Sequence, residues 1–240
     1  MMRKSKQMSE SFRIAALLSV SGGLQDVYTY ISRGEVFANA QTGNIVLLSQ
    51  NLFAGNLRRA LHYLVPLLFF ALGVAAATEV RRSFQNRPRF HWRQLVVLVE
   101  IVLLFAVGFM PTRLNLLANA LVSFSCAMQV QSFRKVHSSA IASTMCIGNI
   151  RSGMEALCSY REDHNRETLF KSLHYFAIIL LFGVGAGVGS VLIRKLGMHT
   201  IWVSSLLLLV SLCVMLIQEE EDKLEQEHKQ IKNGESSRNC

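Results

Sequence analysis

Six apolar stretches follow one another along the chain, and they constrain its fold more than any other feature. They cover approximately residues 12–31, 60–80, 94–110, 114–133, 172–193 and 199–217. A helix needs roughly 20 consecutive apolar residues to cross a bilayer, so each stretch is long enough to span. The composition agrees, because only 17% of the residues are charged, whereas a soluble domain carries about a quarter. The sequence therefore predicts an all-α, multi-pass membrane protein.

Basic residues are concentrated in some of the loops between these stretches, and they predict the topology. With six spans and both termini inside, the inner side receives fifteen lysines and arginines before the tail, and the outer side receives six. With eight spans these counts become eleven and ten. Basic loops stay on the cytoplasmic side, so six spans are favoured. The predicted organisation is a cytosolic N-terminus at 1–11, a transmembrane domain at 12–217 and a charged cytosolic tail at 218–240.

The chain carries no motif of an enzyme or a metal site. No HExxH, Walker, GxSxG or dinucleotide-binding pattern is present, and the five cysteines form no CxxC pair. We therefore expect no catalytic residue, metal or cofactor. The net charge is +9, but the bases lie in short clusters between apolar stretches and not on a folded basic surface. Lipid headgroups are thus the expected partner, and nucleic acid is not.

Two further stretches, residues 36–53 and 138–160, are too polar for a lipid-facing span and too apolar for a free loop. Ordered internal matches relate them to each other. The matches are Leu24-Gln25 with Met128-Gln129 (offset 104), Gly43-Asn44-Ile45 with Gly148-Asn149-Ile150 (offset 105) and Leu61-His62-Tyr63 with Leu173-His174-Tyr175 (offset 112). The chain is therefore predicted to contain two repeats, at about 12–110 and 114–217. Three spans in each repeat would invert the second relative to the first, as in many secondary transporters.

The polar stretch of each repeat predicts a short re-entrant half-helix. From Thr42 to Phe53 there are 12 residues, or about 18 Å of helix, against a hydrocarbon thickness of about 30 Å. The residues before it, 33–41, would run as irregular backbone. Such backbone is tolerated at membrane depth only beside protein or a watery cavity. We expect a Gly-Asn motif at the start of each half-helix.

The segments Gly23-Leu24-Gln25-Asp26 and Phe37-Ala38-Asn39-Ala40-Gln41-Thr42-Gly43-Asn44 carry a family resemblance. They resemble the bacterial YoaK family, multi-pass transmembrane proteins of unknown function that are marked by G-x-x-D and N-x-x-T-G-N motifs. The resemblance covers about residues 12–217. In the second repeat Ile147 stands where this pattern would place a threonine before Gly148. The resemblance implies a bacterial inner-membrane protein, and it implies no reaction and no substrate.

Asp26 is the most prominent single candidate, because it lies well inside the first span. A carboxylate there costs roughly 3 kcal/mol on insertion scales, so it should face protein or water. It belongs to one polar stripe at helical spacing, formed by Ser19, Gly22, Asp26, Thr29 and Arg33. Two interpretations stay open. Asp26 is either a proton- or cation-coupled site in a cavity or a structural carboxylate held by backbone amides of the irregular segment.

The two Gly-Asn motifs predict a binding site between the starts of the half-helices. Helix starts present unpaired N–H groups with a partial positive charge, and in an inverted repeat they would meet near the midplane. With one carboxylate beside them, they suit a dipolar solute or a small ion pair. The alternative is capping by Thr42 with tight packing at the glycines. The candidate substrate-binding residues are Asp26, Asn39, Thr42, Gly43, Asn44, Gln129, Gly148 and Asn149.

Arg151 and Glu155 are four residues apart in the second polar stretch, so we expect a local ion pair with a candidate role in gating. Taken together, the sequence predicts a transporter or channel for an unknown small solute or ion in the bacterial cell membrane. The alternative is a non-transporting scaffold, or a lipid-interacting or regulatory protein. Homo-oligomer formation stays open.

Overall fold

The computed structural model describes residues 12–85, 92–133, 143–217 and 220, and these residues form eight helices. The helices are α1 Phe12–Ser32, α2 Gln41–Phe53, α3 Leu57–Phe84, α4 Trp92–Val107, α5 Asn115–Ser132, α6 Cys146–Asp163, α7 Arg166–Leu196 and α8 at 201–217. The predicted N-terminal segment, most of the predicted tail and part of the basic loop at 81–93 lie outside the described residues.

Each of the six predicted spans falls on one helix, namely α1, α3, α4, α5, α7 and α8. By length and composition, two helical runs in the described part of the chain could cross a membrane. They are Leu57–Phe84, with 28 residues, and Arg166–Ile217, with 52 residues. The second run contains α7 and α8, which are joined by a 3-10 turn at Gly197–Thr200. The all-helical fold is thus that expected of a helical membrane protein.

The two helices that carry the Gly-Asn motifs differ in length. α2 has 13 residues, or about 20 Å of helix, which is the short helix that the sequence predicts. α6 has 18 residues, or about 27 Å, and is longer than a half-helix. The difference arises at its end, where the exposed charged residues Arg161, Glu162 and Asp163 continue the helix beyond the apolar part.

α1 packs along α7, and α5 packs along α3, through equivalent glycine contacts. A Cβ on Gly185 of α7 would collide with the backbone of Val20 on α1. A Cβ on Gly73 of α3 would collide with the backbone of Phe124 on α5. Gly73 and Gly185 are 112 residues apart, and their partners Val20 and Phe124 are 104 residues apart. These are two of the offsets found between the sequence repeats. The same helix contact therefore occurs twice, in the register of the sequence repeat.

α1 and α5 run in opposite directions. At the end of α1, the backbone oxygen of Arg33 accepts a hydrogen bond of 2.9 Å from Asn119 Nδ2, near the start of α5. In the first half of α1, the backbone oxygen of Leu18 accepts one of 3.3 Å from Gln129 Nε2, near the end of α5. The first helices of the two repeats are thus antiparallel to each other.

Candidate functional site

One cavity of about 740 Å³ is lined by the segments that lead into both α2 and α6. We call residues 37–40 and 143–145 the two lead-in segments. Residues 39–42 line the cavity from the first repeat, and residues 144–148 line it from the second. The structure thus brings the starts of α2 and α6, which lie more than 100 residues apart, to one site.

Both lead-in segments contact α1 at Gly22, the eleventh of its 21 residues. From the first repeat, Asn39 Nδ2 donates a hydrogen bond of 3.3 Å to the backbone oxygen of Gly22. From the second repeat, the methyl group of Thr144 lies so close to Gly22 that a Cβ would collide with it. The absence of a side chain at this position allows the two segments to meet at the middle of α1.

The wall of the cavity is mostly aromatic and aliphatic. Tyr30 and Phe37 stack with their ring centroids 4.8 Å apart. Phe70 of α3 and Phe182 of α7 also line the cavity, and they occupy equivalent positions in the two repeats. Among the described lining residues, Asp26 is the only one with a carboxylate or a basic group. A single acidic side chain therefore lies in an otherwise uncharged wall.

Asp26 lies in this wall and also holds the first lead-in segment. It is 7% exposed, and its Oδ1 accepts a hydrogen bond of 2.6 Å from the backbone N–H of Asn39. The hydrogen bond to the backbone is expected of a structural carboxylate. The position in the cavity wall is expected of a binding group, so the structure agrees with both interpretations of Asp26.

Asn44 fixes the bend before α2. Its Nδ2 donates to the backbone oxygen of Phe37 at 2.6 Å and to Gln41 Oε1 at 2.9 Å, and its Oδ1 accepts from the Phe37 N–H at 3.0 Å. Thr42 does not cap the helix, contrary to the sequence-based expectation. Ala40 is the capping residue and makes no side-chain bond, because α2 begins at Gln41 and Thr42 is already its second residue. Thr42 instead lines the cavity.

The two motif glycines have different surroundings. A Cβ on Gly148 would meet nothing within 4 Å, and this residue lines the cavity. A Cβ on Gly43 would lie 3.1 Å from the Phe37 ring. Gly148 therefore borders open space, whereas Gly43 allows an aromatic ring to pack against α2.

Four of the predicted substrate-binding residues line the cavity, namely Asp26, Asn39, Thr42 and Gly148. The other four, Gly43, Asn44, Gln129 and Asn149, are not part of its lining. Gln129 supports the second lead-in segment, since its Nε2 donates to Ser143 Oγ at 3.2 Å.

Arg151 and Glu155 form the expected local pair, with Arg151 Nε 3.2 Å from Glu155 Oε1. Both side chains are exposed, at 80% and 64%. Neither residue lines the cavity. The candidate role in gating has no support from their position.

Thr144 is a cavity residue that motif matching missed. It occupies the position equivalent to Asn39 at the offset of 105, and both residues line the cavity. Thr144 Oγ1 and Asn39 Oδ1 are buried atoms with no hydrogen-bond partner in the described structure. Buried polar atoms are normally paired, so these two mark places where a ligand or water fits. Extending the repeat alignment four residues upstream of the second Gly-Asn motif would have identified Thr144.

These helices and this cavity define a class, that of multi-pass helical membrane proteins. The chain belongs to the family described as "Protein of unknown function (DUF1275)", which matches residues 14–214. It is 27% identical over 186 residues to the UPF0700 transmembrane protein YoaK of Bacillus subtilis (strain 168), which covers 72% of this chain and 80% of that relative. The resemblance to the YoaK family is thereby confirmed. No solved structure matches the chain.

Proposed function

We propose that the protein is a transporter or channel for a small solute and that the cavity beside Asp26 is its binding site. One observation carries this proposal: the lead-in segments of both repeats line the same cavity, together with a carboxylate on α1. In many secondary transporters, substrates bind near the midplane of the membrane, where discontinuous helices from two repeats meet.

The direction of α1 relative to α5 supports an inverted repeat with six spans. If α2 and α6 crossed the membrane, each repeat would have four spans. The first helices of the two repeats, α1 and α5, would then start on the same side of the membrane. With three spans per repeat, the second repeat starts on the opposite side. The antiparallel contacts of Arg33 with Asn119 and of Leu18 with Gln129 agree with the three-span arrangement.

A non-transporting scaffold is the second candidate, and the glycine contacts favour it. Gly73 and Gly185 bring helix backbones together with no room for a side chain, and such contacts stabilise permanent helix assemblies in membranes. The two candidates differ in one measurable respect. A transporter must open its cavity to each side of the membrane in turn, whereas a scaffold has no such requirement.

Cys146 lines the cavity and allows a test that needs no knowledge of the solute. The variant keeps Cys146 and replaces the other cysteines by serine, at Cys126, Cys158, Cys213 and Cys240. It is treated with a membrane-impermeant thiol reagent in right-side-out and in inside-out vesicles. For a transporter, we expect Cys146 to be labelled from both faces.

A variant that keeps only Cys158 is the matched control, because this thiol is exposed on the same helix. It should be labelled from one face alone, which verifies the orientation and the integrity of the vesicles. Labelling of Cys146 from one face only, or from neither, would contradict transport and leave the scaffold as the better account.

A further inference from the structure

The two lead-in segments occupy equivalent positions, but the helices beside them differ in charge. In the first repeat, Asp26 accepts the N–H of Asn39, so a carboxylate is built in beside the start of α2. The offset of 104, which also relates the glycine-contact partners Val20 and Phe124, places Val130 at the position equivalent to Asp26. Val130 is apolar and 9% exposed. The second repeat therefore lacks the anion that the first repeat carries.

The start of α6 offers hydrogen-bond donors to the cavity. Met145 precedes this 18-residue helix and makes no side-chain capping bond. The N–H of Asn149 donates to the Met145 oxygen at 3.1 Å. The three residues of α6 before Asn149 lie in its first turn, where backbone N–H groups have no carbonyl of the same helix to bond. Such N–H groups carry a partial positive charge. Cys146, Ile147 and Gly148 all line the cavity.

Thr144 provides independent evidence for a ligand at this helix start. It lines the cavity directly before α6 and is only 8% exposed. Its Oγ1 is buried and has no hydrogen-bond partner in the parts of the chain that the structure describes. A free hydroxyl donor beside unpaired backbone N–H groups suits a carboxylate or another small anion.

The part of the cavity formed by Asp26 and Asn39 suits a cation. Asp26 supplies a negative charge, and the Asn39 Oδ1 atom is an acceptor with no partner in the described structure. The stacked rings of Tyr30 and Phe37 lie in the same wall. Aromatic faces attract ammonium groups and also pack against apolar groups.

We infer that the cavity takes a zwitterion with an apolar body, such as an apolar amino acid. Its carboxylate lies at Thr144 and the start of α6, and its ammonium group lies beside Asp26 and Asn39. The solute thus supplies, on the side of the second repeat, a carboxylate that this repeat lacks at the position equivalent to Asp26. This inference rests on the proposed function and names the solute class. The volume of about 740 Å³ leaves room for the apolar body.

Three probes with the same apolar body test this inference on the full-length protein in detergent. They are L-leucine, its methyl ester, which lacks the carboxylate, and N-acetyl-L-leucine, which lacks the ammonium group. Binding is measured by thermal shift and by equilibrium titration. We expect L-leucine to bind most tightly and the two derivatives at least about tenfold more weakly, because each loses charge-assisted hydrogen bonds.

Ile147→Asp should reverse the preference between two of the probes. Ile147 lines the cavity at the start of α6, so the new carboxylate would compete with the carboxylate of the solute, and the methyl ester should then bind more tightly than L-leucine. Ile147→Asn is the matched control, since its shape is close to that of aspartate and it carries no charge. It should keep the wild-type order.

Equal binding of L-leucine and its ester by the wild-type protein would overturn the inference, as would preference for the N-acetyl derivative or no binding of any probe. If neither Ile147 variant folds, the wild-type order decides alone. Two-sided labelling of Cys146 without a preference for the zwitterion would reject the solute class and leave transport standing. Binding of the zwitterion with one-sided labelling would reject transport and leave the site standing.

Discussion

Arg33 lies at the end of α1 with its side chain fully buried. Its Nη1 donates to the backbone oxygen of Met110 at 2.9 Å and its Nη2 to that of Val107 at 2.9 Å. Its Nε donates to the Tyr28 hydroxyl at 2.9 Å. The carbonyl end of a helix carries a partial negative charge and unpaired oxygens. This guanidinium therefore completes the end of α4.

We expect Arg33→Lys to destabilise the protein by about 2–4 kcal/mol, because one ammonium group cannot replace several bonds from a planar fork. The measurement is the melting temperature of the purified protein in detergent. Arg59→Lys is the control, since Arg59 pairs with Glu35 at 2.9 Å on the surface, with both side chains 57% exposed. That change should stay within about 0.5 kcal/mol. Equal effects would show that Arg33 does not stabilise α4.

The motif glycines give a second prediction at this scale. Gly148→Leu should leave the melting temperature nearly unchanged, because a Cβ there meets nothing within 4 Å, and it should reduce L-leucine binding because the side chain enters the cavity. Gly43→Leu should lower the melting temperature, since its Cβ would lie 3.1 Å from the Phe37 ring. Unchanged binding in a folded Gly148→Leu protein would place the site elsewhere.

Among the helices, α7 uses its four closely spaced glycines in two different ways. A Cβ on Gly185 would collide with the α1 backbone, and one on Gly189 would lie 2.7 Å from Val27. A Cβ on Gly183 or Gly187 would meet nothing within 4 Å. Residues four apart lie on one face of a helix, so one glycine pair packs against α1 and the other pair faces away from it.

We therefore expect opposite effects from two alanine substitutions on this helix. Gly185→Ala should lower the melting temperature, because the α1 backbone would have to move. Gly187→Ala should leave it unchanged or raise it by the equivalent of about 0.5–1 kcal/mol, the ordinary difference in helix propensity. Both are measured by thermal unfolding in detergent. A similar loss in the two variants would contradict the assignment of faces.

For the whole molecule, the ends of α2 and α6 discriminate between six spans and eight. With six spans, the turn after α2 and the turn after α6 face opposite sides of the membrane. With eight spans they face the same side. The exposed positions Ala54 and Glu162 mark these two turns.

In a cysteine-free background, we expect an impermeant reagent to label Ala54→Cys but not Glu162→Cys in right-side-out vesicles. The inside-out vesicles should give the reverse pattern. Labelling of both positions from the same face would reject the inverted repeat.

The positions of the helices were largely predictable, because the length of an apolar stretch determines whether it can span. α1 begins and ends within one residue of the predicted stretch. The exposed charged turn of α6 was not foreseen, because the predicted stretch ended with its apolar residues at 160, whereas arginine and glutamate continue the helix readily. Charge counting, which included Arg33 among the outer basic residues, could not foresee that its side chain is buried. Two of its partners are the backbone oxygens of Val107 and Met110, which leave no trace in the sequence.

Half of the candidate site residues proved to line the cavity, and the reason is geometric. The Gly-Asn pairs are easy to detect because they recur, but Asn44 turns inward to hold its own backbone. The residues just before each motif are the ones that reach open space. Thr144 and Asn39 differ in type, so no direct match could reveal that they share a position.

The pairing of the first helix with the seventh has a consequence for biosynthesis. Gly23 packs against the backbone of Phe182, which the ribosome adds about 160 residues later. At roughly 5–20 residues per second, α1 waits on the order of 10–30 s for its partner. During this interval Gln25 lacks Ser204 of α8, to which its Nε2 donates a hydrogen bond of 2.9 Å in the folded protein. A nascent chain that stops before α7 should therefore expose a polar helix to lipid or to the insertion machinery, and should be a substrate for membrane quality control.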